Sequence, residues 1–402
     1  CLFCSVFLLL LSLSRGVNLK HIIYFFLLLC LGIRLYEKID FYELYEGEKI
    51  FLELEVYHGR GRSLNRYQTI YTKLAELEDG RYEGEFEILE KTPYYYELEI
   101  CSLRKKEENF CQRYLKACVQ KLGEGRDPSF RHFLEAILLG RAWTLFREER
   151  KLFQYVGLSH LLAISGLHVG LLFYFLEKLL LFFKIPKQTR NYLTLGISHF
   201  YCFGIFLSPS FVRAYVMGIF YLFHELLGEK ISREKMLFFS AWILLMLHPT
   251  EVLSPSFLLS YTAILTIFYV FPLLKLYFED VPPYLSYIFY TLSIQCIGIP
   301  LTAYFFGSLA CLSFFVNLLI LPIGTSLILF SFFTFFLEIF HLGFLTVPIL
   351  EFFYHIFYEI LEWIGELPYL TIYLENKISG ELVFLSYFVI VFIVRILYLQ
   401  KK

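Results

Sequence analysis

Nine apolar segments, separated by short polar loops, fill the chain from Leu158 onward. They cover residues 158–183, 191–207, 211–227, 236–248, 256–274, 284–303, 309–339, 344–364 and 381–398. A membrane-spanning helix needs about 20 apolar residues, and several segments reach that length, whereas others are short or interrupted by Pro and Gly. Because 57% of the 402 residues are hydrophobic, a disordered chain or a coiled coil is excluded. The sequence predicts a multi-helix transmembrane domain over 152–402.

The charged residues are concentrated in one part of the chain. Of the 36 basic and 37 acidic residues, 21 and 23 lie between Arg34 and Lys151. A charge-rich stretch of this length predicts a soluble domain that interrupts a membrane protein. The net charge of the chain is −1, so no overall positive charge points to a nucleic-acid partner.

Two apolar runs precede this domain, Leu2–Leu13 and His21–Leu35. The first is as short as the apolar core of a signal peptide, but no Ala-x-Ala-like cleavage site follows it. We therefore predict an N-terminal transmembrane hairpin over 1–35. The chain begins at Cys1 rather than at a methionine, and the first arm of the hairpin could be truncated.

Alternating apolar and charged side chains predict strands in residues 36–122. The clearest runs are Lys49–Val56, Arg81–Ile88 and Tyr94–Ile100, in which the side chains alternate with a period of two residues. This spacing favours a small antiparallel barrel, and an OB-like barrel is our prediction. A plain meander of strands is the alternative.

An amphipathic helix is predicted over 127–151. Asp127 and Pro128 form a typical helix start, with an N-cap residue followed by proline. Apolar residues including Phe130, Phe133 and Leu134 then fall on one side, and arginines fall elsewhere. This pattern is typical of a helix that lies on a membrane surface.

Basic residues fall in alternate loops between the apolar segments. They are Arg15 and Lys20; Lys184, Lys187 and Arg190; Lys230, Arg233 and Lys235; and Lys275. The positive-inside rule places these loops in the cytoplasm. The barrel is then expected outside the cytoplasmic membrane.

The most distinctive run extends from Gly157 to Gly170. Ser159, Ala163, Gly166 and Gly170 recur at helical spacing, which predicts one stripe of small residues that lets another helix approach. His160 and His168 lie off this stripe, and Ser165 lies between them. Ionisable residues inside a membrane are candidates for function, although both histidines could simply bond to carbonyls and fix the packing.

Further polar residues interrupt the later apolar segments. Arg213 shares a helix face with Ser210, and its guanidinium could snorkel to the surface, form an ion pair, or bind a phosphate group two oxygens at a time. Gln295 precedes Pro300, and Asn317 precedes Pro322. Prolines can break a helix where it lines a cavity, and an ordinary kink is the alternative.

The soluble domain contains a basic stretch without acidic residues, from His58 to Lys73. Its cations are interleaved with tyrosines, and the candidate DNA-binding residues are Arg60, Arg62, Arg66, Tyr67, Tyr71 and Lys73. Cations for phosphates and aromatic rings for bases are typical of proteins that bind single strands. Contact with anionic lipid headgroups would explain the same residues.

Several enzyme motifs are absent from the sequence. It has no G-x-x-x-x-G-K-[ST] loop, no H-E-x-x-H and no H-x-H-x-D-H cluster, so we expect neither nucleotide hydrolysis nor nuclease activity. The nine cysteines form no zinc-binding pattern, and we expect no metal or cofactor. Only Cys101 and Cys111 are plausible disulfide partners.

The run Leu158–Gly170 resembles the signature of the ComEC family of competence proteins, the inner-membrane channels for DNA uptake. Other blocks agree in order and spacing over residues 130 to 330: Ala136–Gly140, Ser208–Ala214, His248-Pro249 with Ser256–Ser260, and Pro300–Asn317. Arg141 stands where the family usually has an acidic residue, and Ser256 where it favours glycine. The resemblance implies an OB-like domain between early helices, as the strand pattern also indicates.

Many members of this family end in a metallo-β-lactamase-like domain that is proposed to degrade the strand that is not imported. This sequence ends at Lys402 after its last apolar segment. We therefore expect any nuclease to be a separate protein.

Together, these features predict a polytopic α-helical protein of the bacterial cytoplasmic membrane with a small all-β, OB-like extracytoplasmic domain. The predicted function is a channel for single-stranded DNA, with the path lined by His160, Ser165, His168, Arg213, Gln295 and Asn317. Expected partners are membrane lipids, a DNA receptor, a separate nuclease, a cytoplasmic helicase or ATPase, and other copies of the chain. The alternatives are a transporter of another anionic substrate, such as a lipid-linked sugar, and an intramembrane serine protease that uses Ser165 and His168.

Overall fold

The computed structural model describes residues 49–57, 60–63, 71–73, 77, 80–91, 96–105, 107–162, 164–205, 209–227, 232–247, 254–277, 282–309, 313–367, 370–374 and 378–400. The predicted hairpin over 1–35 lies outside these residues. The chain divides into two compact units, one over Glu37–Ala117 and a helical one from Cys118 onward.

The first unit contains a closed five-stranded barrel. Its strands are β1 (Lys49–Tyr57), β2 (Arg60–Ser63), β3 (Tyr71–Lys73), β4 (Gly80–Lys91) and β5 (Tyr96–Lys105). They are hydrogen-bonded in the order β1-β2-β3-β5-β4, and β1 pairs with β4 to close the barrel. All pairs are antiparallel except β3 with β5, where Thr72 lies opposite Tyr96.

The alternation of side chains explains the barrel core. Every second residue of β1 is buried, from Ile50 to Val56, whereas Phe51 is 55% exposed. The register places Leu54 opposite Tyr82, and Phe86, Ile88 and Leu98 complete the core. The strands predicted at Lys49–Val56 and Arg81–Ile88 are confirmed, as is the described part of the one at Tyr94–Ile100.

Gly84 permits the close approach of β4 and β5. A Cβ at this position would collide with the backbone carbonyl of Ser102. The register shifts between Glu85 and Phe86, and the Glu85 N–H donates to the Ser102 hydroxyl (3.2 Å). Glycine is needed here because the two backbones meet at a bulge.

The prediction of strands up to residue 122 is wrong, because a helix, α1 (Phe110–Leu122), occupies the end of that region. Leu115, Cys118, Val119 and Leu122 are buried. Their spacing of three and four residues is the period of a helix, so the apolar face of α1 requires helical geometry.

The single amphipathic helix predicted over 127–151 is also wrong. The chain instead forms α2 (Pro128–Leu139), a 3₁₀ turn (Ala142–Thr144) and α3 (Arg147–Val156). Asp127 caps α2 as predicted, and Gly140 ends it with a positive φ of 76°, a conformation that favours glycine.

Helix α2 is buried rather than lying on a surface. Nine of its twelve residues are buried, and Phe130 and Phe133 pack against Tyr354, with ring centroids 5.5 and 4.8 Å apart. The packing of α2 inside the helical unit explains why a one-sided surface position was predicted incorrectly.

Glu149 caps the start of α3. The Phe146 N–H donates to its Oε2 (3.0 Å), and the side chain is buried. Burial disfavours the charged carboxylate and raises the pKa of Glu149 above its ordinary value.

The remaining elements each correspond to a predicted apolar segment or to a short connection. They are α4 (Ser159–Leu162), α5 (Gly166–Phe182), α6 (Lys187–Gly204), α7 (Pro209–Leu227), α8 (Arg233–Leu247), α9 (Pro255–Leu265), α10 (Phe271–Tyr277), α11 (Pro283–Phe306), β6 (Ser308–Leu309), α12 (Ser313–Ile339), α13 (Val347–Gly365), β7 (Ile372–Tyr373) and α14 (Gly380–Gln400). A π-helical turn, Thr266–Val270, joins α9 to α10.

Three stretches of the described residues are long and apolar enough to cross a membrane: Pro255–Leu274, Leu285–Phe306 and Phe314–Ile339. Ser210–Phe223 and Gly380–Val394 are shorter apolar helices. Length and composition therefore support a membrane protein.

The polarity of α6 is reversed relative to a helix of a soluble protein. Its buried positions include Asn191, Thr194, Ser198 and Tyr201, whereas the large side chains it exposes are mainly apolar. An exposed apolar face over a polar interior is typical of a helix whose outer side contacts lipid.

Candidate functional site

The chain breaks between α4 and α5 at Ser165. This residue is extended (φ −128°, ψ −179°), and its hydroxyl accepts from the Leu167 N–H (3.3 Å) as the N-cap of α5. The Ser165 N–H donates to Nδ1 of His168 (3.3 Å). The two residues thus cap the helix reciprocally, as in a capping box.

This break contradicts the predicted single stripe of Ser159, Ala163, Gly166 and Gly170. Ser159 belongs to α4, the two glycines belong to α5, and Ala163 lies outside the described residues. The serine side chain competes for backbone N–H groups, and that favours a helix start over a helix interior.

Gly166 is the member of that set at a close helix contact. A Cβ on Gly166 would lie 3.2 Å from Cβ of Ala214 and 3.4 Å from Nη2 of Arg213, both on α7. One at Gly170 would meet nothing within 4 Å. Farther along, Gly218 of α7 faces the Phe173 ring of α5. Small residues therefore bring α5 and α7 together at two levels.

His168 is 1% exposed. Because its Nδ1 accepts from the Ser165 backbone, the ring proton lies on Nε2, which has no hydrogen-bond partner among the described residues. His160 on α4 is exposed, and its ring bonds to the Gly157 backbone.

Arg213 is a buried cation, with 5% of its surface exposed. Its guanidinium lies over the Tyr261 ring of α9, with Cζ 5.2 Å from the ring centroid. Within the described part of the chain, its Nε and Nη1 have no hydrogen-bond partner. A buried charge without a partner is costly, so this side chain calls for an explanation.

Hydroxyl groups surround the same region. Ser210, one turn before Arg213, lies 3.2 Å from the Ser256 hydroxyl and 3.1 Å from that of Ser260. The Tyr261 hydroxyl lies 3.1 Å from Oγ of Ser240 on α8, which donates to the Leu237 carbonyl (2.7 Å). The sequence predictions did not include Tyr261 and Ser240 in the site. Polar residues inside apolar segments were the signal that could have found them.

Gln295 and Asn317 lie on α11 and α12. Each is half-buried, and its side-chain oxygen has no partner among the described residues. The helices continue through Pro300 and Pro322, so of the two interpretations of these prolines, a broken helix is not found. No described hydrogen bond links either amide to Arg213 or His168.

In the barrel, the register groups four of the predicted DNA-binding residues. Arg60 lies opposite Lys73, and Arg62 lies opposite Tyr71. Residues that are directly opposite, or two apart on one strand, share a face, so all four are on one face of the β2–β3 pair. Arg66 and Tyr67 lie outside the described residues.

The described residues contain no cluster of three or more His, Cys, Asp or Glu side chains that could hold a metal ion. Cys101 and Cys111 are free thiols. The Ser165 hydroxyl lies 3.3 Å from Nδ1 of His168, but it also serves as the helix cap.

Comparison with known proteins places residues 137–401 in the Competence protein family. ComE operon protein 3 of Bacillus subtilis (strain 168) is 26% identical over 238 residues, which are 59% of this chain and 29% of that protein. An uncharacterized protein of Aquifex aeolicus (strain VF5) is 30% identical over 179 residues, 44% of this chain and 41% of that protein.

The chain thus spans less than half the length of either relative. No solved structure matches it. The family match covers about two thirds of the sequence and includes the break at Ser165, Arg213 and the hydroxyl groups around it. The chain therefore belongs to the Competence protein family, the ComEC type of membrane protein.

Proposed function

We propose that this chain forms a membrane channel that imports single-stranded DNA during natural transformation. The observation that carries the proposal is the Competence family match over residues 137–401. The matched region contains every residue predicted to line the path, from His160 to Asn317.

The chemistry of this region supports passage of a polyanion. Arg213 offers a buried cation, and polar atoms of His168, Gln295 and Asn317 have no partners among the described residues. Guanidinium N–H groups match phosphate oxygens in pairs. A path with such groups can exchange water for phosphate oxygens as a strand advances.

We also propose that the barrel is OB-like and receives the strand. A closed barrel with the strand order β1-β2-β3-β5-β4 supports this assignment. In OB-folds the face of strands 2 and 3 binds oligonucleotides. The equivalent pair in this chain carries Arg60, Arg62, Tyr71 and Lys73 on one face, which suits phosphates and bases.

The proposed location is the bacterial cytoplasmic membrane, with multiple spans and the barrel on the outer side. The three candidate spans and the reversed polarity of α6 support the membrane, and the alternation of basic loops supports the orientation. A DNA receptor, a separate nuclease and a cytoplasmic helicase or ATPase are the proposed partners. Assembly with further copies of the chain is compatible with this role.

Transport of another anion, such as a lipid-linked sugar, is a second candidate, because Arg213 would attract any phosphate. Oligonucleotide binding distinguishes a DNA channel from a transporter of another anion. If the chain imports DNA, the barrel should bind single-stranded oligonucleotides with an affinity that falls as the salt concentration rises. The protease alternative predicts that a fluorophosphonate probe labels Ser165. We expect no labelling, because the Ser165 hydroxyl is engaged at the start of α5.

The direct test is the substitution Arg213→Ala in a transformable bacterium that carries this chain as its only copy. Transformation should fall while the amount of protein in the membrane stays the same. The matched control is Arg233→Ala, since Arg233 also lies over an aromatic ring, with Cζ 5.6 Å from the centroid of Phe268, but is exposed. Unchanged transformation with Arg213→Ala would remove this residue from the mechanism.

A further inference from the structure

The first turns of α5 and α9 both contact α7 within one helical turn of Arg213. Helix α5 begins at Gly166, whose missing Cβ leaves room for Nη2 of Arg213. Ser210 in the first turn of α7 contacts Ser256 in the first turn of α9, both at its hydroxyl (3.2 Å) and at its carbonyl (3.4 Å). Arg213 follows Ser210 by one helical turn on α7.

This arrangement produces a region of positive electrostatic potential. The N-terminus of a helix carries a partial positive charge and N–H groups that point outward from its end. The guanidinium and the helix starts near it therefore favour an anion in this region. In the parts of the chain that the structure describes, no carboxylate pairs with Arg213, and its Nε and Nη1 have no hydrogen-bond partner.

Tyr261 sets the orientation of the guanidinium. Arg213 Cζ lies over its ring, 5.2 Å from the centroid, and its hydroxyl lies 3.1 Å from the hydroxyl of Ser240. The ring also packs against Phe257, with centroids 4.4 Å apart. A cation–π contact uses none of the N–H donors of the guanidinium, so Nε and Nη1 remain available to another group.

We propose that Arg213, the first turns of α5, α7 and α9, and the serine hydroxyls between them form a binding site for one phosphate group of the passing strand. Tyr261 is a positioning residue in this site. The proposal rests on the proposed function for the identity of the strand. A phosphodiester, a lipid headgroup and inorganic phosphate all present the same oxygens to such a site.

The test uses the full chain, purified in a maltoside detergent that contains no phosphate. Thermal unfolding is followed by intrinsic tryptophan fluorescence while inorganic phosphate is added, with chloride added to equal ionic strength in parallel samples. Phosphate should raise the Tm of the unsubstituted protein. Chloride should not.

Substitutions then assign the effect to Arg213. Arg213→Met should weaken the apparent affinity for phosphate by at least about tenfold, since a charge-assisted pair of hydrogen bonds is lost. Without phosphate this variant should melt at or above the unsubstituted protein, because an unpaired buried charge has been removed. Arg233→Met, at the exposed arginine, should keep the full phosphate shift.

Two further variants keep the test decisive if Arg213→Met fails to fold. Arg213→Lys retains the charge but not the two-pronged donor, so phosphate should bind more weakly. Gly166→Ala places a Cβ 3.4 Å from Nη2 and should also weaken phosphate binding. If phosphate does not raise the Tm of the unsubstituted protein, or raises it equally in all variants, the proposed phosphate site is wrong.

Two added ligands distinguish the sources of the phosphate. Oligothymidylate should reproduce the Arg213-dependent shift. If short-chain phosphatidylglycerol reproduces it and oligothymidylate does not, the site binds lipid and its assignment to the strand is wrong. If phosphate does not raise the Tm but cells take up DNA normally, the phosphate site is wrong and the channel proposal stands. If phosphate raises the Tm in an Arg213-dependent way but the chain supports no DNA uptake, the channel proposal alone is wrong.

Discussion

Close packing of α5 against α7 predicts the effect of Gly218→Ala. The new Cβ would lie 2.3 Å from Cε2 and 3.0 Å from Cζ of the Phe173 ring. Carbon atoms make favourable contacts at about 3.5–4.0 Å, so the ring or the helix must move by more than 1 Å. Phe173 also contacts Tyr215 edge-on, with centroids 6.2 Å apart, which restricts the movement of its ring.

The magnitude follows from two opposing effects. Alanine favours a helix over glycine by up to about 1 kcal/mol, whereas overpacking a close contact costs about 1–3 kcal/mol. Gly196→Ala in α6 provides the matched control, because a Cβ there meets nothing within 4 Å. The control should be neutral or slightly stabilised. Gly218→Ala should therefore be less stable than the control by about 1–3 kcal/mol.

The assay is thermal unfolding of the purified protein in detergent, followed by tryptophan fluorescence. Phe173→Leu in the Gly218→Ala background should recover part of the loss, because the smaller side chain makes room for the methyl group. Equal melting temperatures of the two glycine variants would refute the close packing of α5 and α7. Loss of stability without any rescue would refute Phe173 as the colliding group.

Three further predictions concern local contacts outside this interface. Because the pKa of Glu149 is raised, the folded protein binds this proton more tightly than the unfolded chain, so stability should rise as pH falls from above that pKa toward 4.5. Glu149→Gln should remove this contribution to the pH dependence of the melting temperature. The same pH dependence in the variant and the unsubstituted protein would contradict the burial of Glu149. Glu351 accepts from Arg126 (3.0 Å) and from the Asp127 N–H (3.2 Å), so Glu351→Ala should cost about 1–3 kcal/mol, and Arg126→Ala should cost clearly less in that background than alone in a double-mutant cycle. Ser165→Ala should lower stability by about 1 kcal/mol through loss of the cap of α5, whereas Ser165→Asn should retain most of it; equal melting temperatures would show that the cap contributes nothing.

The sequence was sufficient where one period governs a segment. In β1, alternation alone identified Ile50, Leu52, Leu54 and Val56 as one face, and all four are buried. Each of the nine apolar segments contains a helix, because a long apolar segment forms backbone hydrogen bonds within itself only as a helix. Asp127-Pro128 also gave a correct helix start, because capping depends on neighbouring residues only.

Prediction failed where a local choice depends on contacts from distant segments. Apolar residues continue across Ser165, so the sequence favours one helix, yet α4 ends at Leu162 and the Ser165 and His168 side chains cap the start of α5. Helix α2 looks amphipathic in sequence, but Phe130 and Phe133 pack against Tyr354, more than 200 residues later. Tyr261 contacts Arg213 from another helix. The spacing of residues along one helix does not predict such a contact between helices.

The central claim is that this chain conducts single-stranded DNA, and reconstitution into liposomes tests it most directly. The liposomes enclose a single-strand-binding protein as a sink, so no motor is required. Labelled oligothymidylate is added outside, followed by a nuclease. The account predicts nuclease-protected single strands inside, far fewer with Arg213→Ala, and none of a matched duplex. Protection no greater than in protein-free liposomes, or equal for the duplex, would contradict it.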